Sequence, residues 1–350
     1  MNKIIIEDME YIYRSKILNW ERFRNKTVLI TGAYGMLASY LTFFLISLNE
    51  RNPSYNVHII AVCRNRQKVL QRFGDYLNNP YFSVVEGDIC GKLEFPWKID
   101  YIIHAASPAS SQYYGVNPTG VLLPNVIGTY NMLELARINR VEGFLYFSSA
   151  EIYGKLNKKS IFENDSGYLD VLDVRNCYAE SKRMGENMCK CWQHQYSVSA
   201  KVVRPAHTYG PTMDLFNDRR VFAEFVANAV KGEDIVMKSD GSAKRNFCYI
   251  ADAALGYFTV LLDGASGEAY NVSNEKENIS IAELAKLVAG LFPEKNMKVI
   301  MEERQKNTDY IENTNKIQPI FNTEKLRGLG WDCKFSVSDG FRRTIQSFLS

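Results

Sequence analysis

Long basic runs, Cys-x-x-Cys pairs, extended hydrophobic spans, internal repeats and Pro/Ser-rich linkers are all missing from this 350-residue chain. Each absence excludes something. With no basic run and a formal net charge of only +3, the chain offers no footprint for nucleic acid or a polybasic membrane contact. The seven cysteines (Cys63, Cys90, Cys177, Cys189, Cys191, Cys248, Cys333) are odd in number and scattered. Cys189 and Cys191 stand two apart on an expected helix, where side chains do not share a face. This argues against a disulfide framework or metal site and for a reducing compartment. The longest apolar stretch, 36–48, is interrupted by Ser39, Thr42 and Ser47 and is shorter than the ~20 residues of a spanning helix. The apolar start at 4–6 ends at once in Glu7, Asp8 and Glu10, unlike a secretory signal. The expectation is a cytoplasmic protein with no membrane partner, no nucleic-acid partner and no metal.

What is present is an ordinary globular composition, 46% hydrophobic and 23% charged. At roughly 150 residues per domain, the length suggests two domains or one with an appendage. Strand signals at 26–30, 57–63, 82–86, 100–104, 144–148 and 199–203 are apolar on nearly every residue, as strands buried on both faces are. Helical patterns at 36–49, 67–76, 120–139 and 176–195 separate them. Such alternation predicts βαβ units and a doubly wound α/β fold of parallel strands. Later segments, helical at 221–231 and 281–292, have denser turns. Residues 1–24 carry apolar residues without a single stripe and read as a helical lead-in packed on the body.

The sharpest local signal is Thr31-Gly32-Ala33-Tyr34-Gly35-Met36-Leu37-Ala38, which follows the first strand and opens a helix. Glycines there permit a tight turn and close approach of a pyrophosphate to the helix N-terminus. In the second, Tyr178-Ala-Glu-Ser-Lys182, the i,i+4 spacing puts phenol and ammonium on one helix face. A tyrosine of pKa about 10 is a poor base at neutral pH, and an adjacent cation stabilises its phenolate. The third, Phe147-Ser148-Ser149-Ala150-Glu151, ends an expected parallel strand, where open α/β sheets bind ligands.

Together with His104-Ala-Ala-Ser107, Asn125-Val-Ile-Gly-Thr129, Arg204-Pro-Ala-His207, Arg245-Asn-Phe-Cys-Tyr249 and Leu329-Gly-Trp331, these motifs resemble the extended short-chain dehydrogenase/reductase family of NAD(P)-dependent nucleotide-sugar epimerases and dehydratases. Within it, Ala106-Ser-Pro-Ala-Ser110, Asn117-Pro118 and Cys177-Tyr-Ala-Glu-Ser-Lys-Arg183 look most like the UDP-glucuronate decarboxylases. The chain departs from them at Ala150, which replaces a serine, and at His207, where most relatives carry asparagine. Their basic motif near 300–310 has only Arg304 and Lys306 as counterparts.

The resemblance implies a Rossmann domain over 25–205, completed by 245–272, and a smaller mixed substrate domain from 206–244 and 273–350. It implies transient oxidation at sugar C4, with Ser149, Glu151, Tyr178 and Lys182 catalytic. The cofactor would be held by Gly32, Tyr34, Gly35, Met36, Leu37, Arg64, Asn65, Asp88, Ile89, His104, Ala105, Ala106, Ser107, Asn125, Arg204 and His207, together with Tyr178 and Lys182. Ser107, Ser149, Glu151, His207, Arg220, Val221 and Arg245 would hold a nucleotide sugar, which the resemblance favours as UDP-linked. Arg245 reads alternatively as an ion pair with Asp252. Decarboxylation is the first reading and 4-epimerisation the second. A 4,6-dehydratase would need an acid at Ala150, and a non-catalytic dinucleotide-binding regulator would usually lack Tyr178 or Lys182. The second strand ends in Arg64-Asn65-Arg66 with no carboxylate, so either NAD or NADP fits, and the charges lean to NADP. A homodimer is expected through helices 120–139 and 176–195, by way of Leu133, Leu135, Met184, Met188 and Trp192.

Overall fold

The apolar runs of the first half become neighbouring strands in a computed structural model that describes residues 1–302 and 319–349. Arg304 and Lys306 lie outside the described residues. In chain order the strands are β1 (Thr27–Thr31), β2 (His58–Cys63), β3 (Phe82–Glu86), β4 (Tyr101–His104), β5 (Gly143–Phe147), β6 (Ser160–Ile161), β7 (Ala200–Pro205), β8 (His207–Tyr209), β9 (Ile235–Met237), β10 (Lys244–Arg245), β11 (Phe247–Tyr249), β12 (Ala269–Val272), β13 (Ile279–Ser280), β14 (Val299–Met301) and β15 (Ile320–Phe321). Seven of them form one parallel sheet in the order β12-β7-β5-β4-β1-β2-β3. The others pair off as β8 with β11, β10 with β13, β9 with β14 and β6 with β15. The chain winds outward from β1 to β3, then returns to β4 beside β1. That reversal opens a crevice at the carboxyl ends of β1 and β4.

The helices are α1 (Lys3–Arg14), α2 (Met36–Arg51), α3 (Arg66–Phe73), α4 (Pro118–Leu123), α5 (Thr129–Asn139), α6 (Cys177–Tyr196), α7 (Val221–Lys231), α8 (Ile250–Asp263), α9 (Ile281–Gly290), α10 (Glu324–Arg327) and α11 (Val337–Leu349). Every residue of α8 but the last is buried, as expected of a helix sandwiched between a sheet and further helices. The single helix expected over 120–139 is instead α4, a π-helical segment at Pro124–Gly128, and α5. Leu133 is fully buried there, and Leu135, Met188 and Trp192 pack on the same intramolecular cluster. Leu133 is thus spent in the core, whereas Leu135, Met188 and Trp192 keep part of their surface. The exposed residues of this face are Leu122, Leu123, Ile127, Tyr130 and Met184.

The lead-in does form a helix with one buried stripe: Ile4, Ile5, Asp8, Met9 and Ile12. A carboxylate in its centre is why no stripe was legible. Asp8 accepts from Tyr40 of α2, from Tyr249 Oη of β11 at 2.6 Å, and from Arg343 Nη2 of α11 at 2.6 Å. Burial raises its pKa against the pull of Arg343. One side chain thus ties the helix to both halves of the chain.

Candidate active site

The turn after β1 works as the glycines suggested. Gly32 has φ of +64° and a Cβ there would stand 2.8 Å from Ala106 Cα, so only glycine lets the two loops meet. Gly35 caps α2 without a side chain, leaving the first-turn N–H groups of Met36 and Leu37 to face a ligand. A cavity of about 370 Å³ follows, lined among others by Gly32, Tyr34, Gly35, Arg64, Asp88, Ile89, Ala105, Ala106 and Ser107. The Ser107 hydroxyl is buried in it with no hydrogen-bond partner, an orphan that a bound polar group would satisfy. This cradle fits a dinucleotide. Cys63, Lys68, Tyr113 and Asn117 also line it, and only their proximity in space reveals them.

Several expected cofactor ligands are occupied otherwise. The Thr31 hydroxyl accepts from the amides of Ala105 and Ala106, each at 3.1 Å, and so donates to His104 Nδ1 at 2.8 Å. His104 Nε2 then carries the proton and gives it to Thr129 Oγ1 at 3.0 Å, which donates to the Asn125 carbonyl. Burial pushes His104 down to about 3, so it stays neutral. It braces β1, β4 and α5. The Asn125 amide donates to the Val121 carbonyl and to Ser181 Oγ, tying the π segment to α6. Asn65 accepts from the Lys68 amide as the cap of α3. Arg204 directs four of its N–H groups at Glu186, Tyr153 and the Glu163 carbonyl. It lines a second cavity that shares no residue with the dinucleotide groove. In this structure these side chains make internal contacts that hold the fold together.

The catalytic candidates do converge. Ser149 follows β5, and its hydroxyl accepts from the Glu151 amide at 3.1 Å and hydrogen-bonds Tyr178 on α6. Lys182, one turn on, donates from Nζ to the Phe147 carbonyl at 2.6 Å, with that nitrogen 5.7 Å from the Tyr178 ring centre. Burial raises the Tyr178 pKa and the Glu151 charge adds to this, while Ser149 opposes it. Burial also pushes Lys182 down to about 7. The spacing of Tyr178 and Lys182 showed the cation beside the phenol, whereas the burial that opposes it appears only in the fold. Glu151 is an exposed residue beside this group, and the protein packed around its carboxyl raises it to about 7 by desolvation. A residue unmarked by any motif, Tyr114, stacks on the Tyr178 ring with centroids 5.1 Å apart and planes 11° apart.

His207 on β8 has a buried Nδ1 with no partner and is pushed down to about 3 by burial, then by the charges of Arg245 and Arg220. A neutral imidazole thus stands near two guanidiniums. Arg220 precedes α7, pairs with Asp218 and lies over the Phe222 ring, and Val221 beside it is exposed. The alternative pairing of Arg245 with Asp252 does not form: Asp252 accepts from Tyr11 and from the amides of Lys334 and Phe335.

The family model described as "NAD dependent epimerase/dehydratase family" matches residues 28–273. The chain belongs to that family. It is 30% identical over 330 residues to UDP-glucuronic acid decarboxylase 6 of Arabidopsis thaliana, covering 93% of this chain and 89% of that protein. It is likewise 30% identical over 331 residues to human dTDP-D-glucose 4,6-dehydratase, covering 92% and 89%. Among solved structures, UDP-glucose 4-epimerase from Thermotoga maritima has the same fold, with a TM-score of 0.77 at 20% identity over 92% of this chain and 98% of that one.

Proposed function

We propose that the protein binds a dinucleotide in the groove beyond β1 and β4 and decarboxylates a UDP-linked uronic acid, with UDP-glucuronate the first candidate. The observation that carries this is the convergence of Ser149, Tyr178 and Lys182 beside Glu151, whose carboxyl is held up at about 7 by desolvation. The lobe built from 206–244 and 273–350 would hold the nucleotide sugar, with His207, Arg220 and Arg245 toward its diphosphate.

A dinucleotide held by the Gly32–Gly35 turn and Ser107 would supply reversible hydride exchange at sugar C4. Tyr178, as phenolate, takes the C4 hydroxyl proton, and Ser149 orients that oxygen. Lys182 adds the positive charge that offsets burial of the phenolate. The 4-ketone makes the C5 carboxylate a β-keto acid, so carbon dioxide leaves and its bonding electrons move onto the ketone oxygen. Glu151, protonated below about 7, supplies the proton that C5 needs. Tyr178 then returns its proton to O4 as the C4 alcohol is restored. The net change is one carbon dioxide lost and one proton taken up. Ala150 offers no acid for 4,6-dehydration.

NAD is the proposed cofactor. Arg64 lines the groove, but the Arg66 amide donates to Glu86 at the end of β3, and a carboxylate there disfavours a 2′-phosphate. The family description also supports NAD, and the charge-based lean to NADP lacks support. Arg64→Ala should leave NAD affinity within a few-fold. The exposed Leu122, Leu123, Ile127, Tyr130 and Met184 support a homodimer, which light scattering tests. Among the described residues no helix is long and apolar enough to cross a membrane, and seven free thiols suit a reducing cytoplasm. The deciding experiment is incubation with UDP-glucuronate: carbon dioxide and a pentose product support the reading. A C4-inverted product without carbon dioxide makes the protein a 4-epimerase.

A further inference from the structure

We propose that Tyr114 is a positioning residue: its ring, stacked face to face on Tyr178, fixes the plane of the phenol that exchanges the sugar proton. This rests on the reading of Tyr178 as the proton-transfer group. The two rings are 64 positions apart in sequence, yet their centroids lie 5.1 Å apart and their planes 11° apart, within the range of favourable offset stacking. Val121 of α4 completes the small buried cluster around them. A tyrosine held only at its hydroxyl can still swing about its ring bonds, so Ser149 alone does not set the plane. A flat surface against the ring does.

Tyr114 is itself fixed at two points. Its hydroxyl donates to the Ala109 carbonyl at 3.1 Å. Its own carbonyl receives the thiol of Cys177, the residue before Tyr178, at 3.8 Å. The loop that carries it also supplies Ser107, Pro108, Tyr113 and Asn117 to the dinucleotide groove. The segment a dinucleotide touches is thus the segment that supports the catalytic ring, and binding in the groove bears on Tyr178 through Tyr114.

The charged and titratable groups facing the pair are Glu151, Lys182, Cys177 and Arg220. Removing the Tyr114 ring admits water beside Tyr178 and relieves the burial that raises its pKa. A variant with better acidity and worse orientation is the distinctive signature.

The full chain is compared with Y114F, which keeps the ring, and Y114A, which removes it. Y114F should retain kcat within about twofold, whereas Y114A should lose about tenfold in kcat with little change in KM. The acid limb of the kcat profile should move to lower pH in Y114A only. Fluorine NMR of fluorotyrosine-labelled protein, with Tyr178 assigned through Y178F, reads the stack without any substrate. The Tyr178 resonance should shift and lose its restricted ring motion in Y114A and stay near its parent position in Y114F. An unmoved resonance in Y114A, or equal loss of kcat in Y114F and Y114A, overturns the proposal. If no nucleotide sugar is turned over at all, the proposed function fails while the resonance still decides the stack. Y114L, which fills the space without a π face, replaces Y114A should the latter not fold.

Discussion

The Lys182 ammonium donates to the Phe147 carbonyl at 2.6 Å, at the very strand end from which Ser149 follows. One nitrogen thereby ties the Tyr–Lys helix to the tip of β5. Burial holds this amine at about 7, so its charge is present below that pH and lost as pH rises through it. Lys182→Ala should weaken dinucleotide binding and lower kcat by at least about a hundredfold. An unchanged pH profile would show that the ammonium does not serve Tyr178.

Tyr178→Phe removes one oxygen and keeps the ring on Tyr114. Turnover should fall by about a thousandfold or more, with the fold and dinucleotide affinity preserved. Circular dichroism and a cofactor titration check the second part. Turnover near that of the parent removes the central claim about this residue.

Glu151 gives the pH dependence its sign. Burial raises it to about 7, so as a proton donor it is competent below that pH and fails above it. The kcat profile for decarboxylation should decline through about 7, and Glu151→Gln should abolish that limb while lowering kcat by about a hundredfold. A Gln variant that keeps the limb assigns it to another group.

Asp8→Ala should destabilise the protein by about 3 kcal/mol, because it leaves two buried phenols without their acceptor and Arg343 with only Glu7 and the Ile4 carbonyl. Denaturant unfolding measures this. Loss below about 0.5 kcal/mol would mean that the groups find other partners or water.

Local patterns were legible because their physics is local. Gly32 lies in a turn that needs positive φ, and Tyr178 and Lys182 share a face at four residues' spacing. The buried strands announced themselves by unbroken apolar runs. What sequence did not reveal depends on packing between distant segments. Arg204 looked available for phosphate until α6 placed Glu186 against it. Tyr114 carries no motif, and its stack exists only because the loop after β4 folds over α6. Leu133, apolar on an expected interface helix, lies wholly in the core because the π segment at 124–128 interrupts the helix before α5.

The Asp8–Arg343 pair spans 335 positions, and this sets an order in time. A ribosome releases α1 first and α11 last, so the carboxylate exists long before its guanidinium. The strands β1 to β5 and their crossover helices can pair as they emerge. The stripe of Ile4, Ile5, Met9 and Ile12 gains its full cover only when α11 arrives. Docking of α1 is then the closing event of folding, a latch with high contact order. A nascent chain stalled before residue 343 should expose this helix to proteases even though its nucleotide-binding sheet is already built.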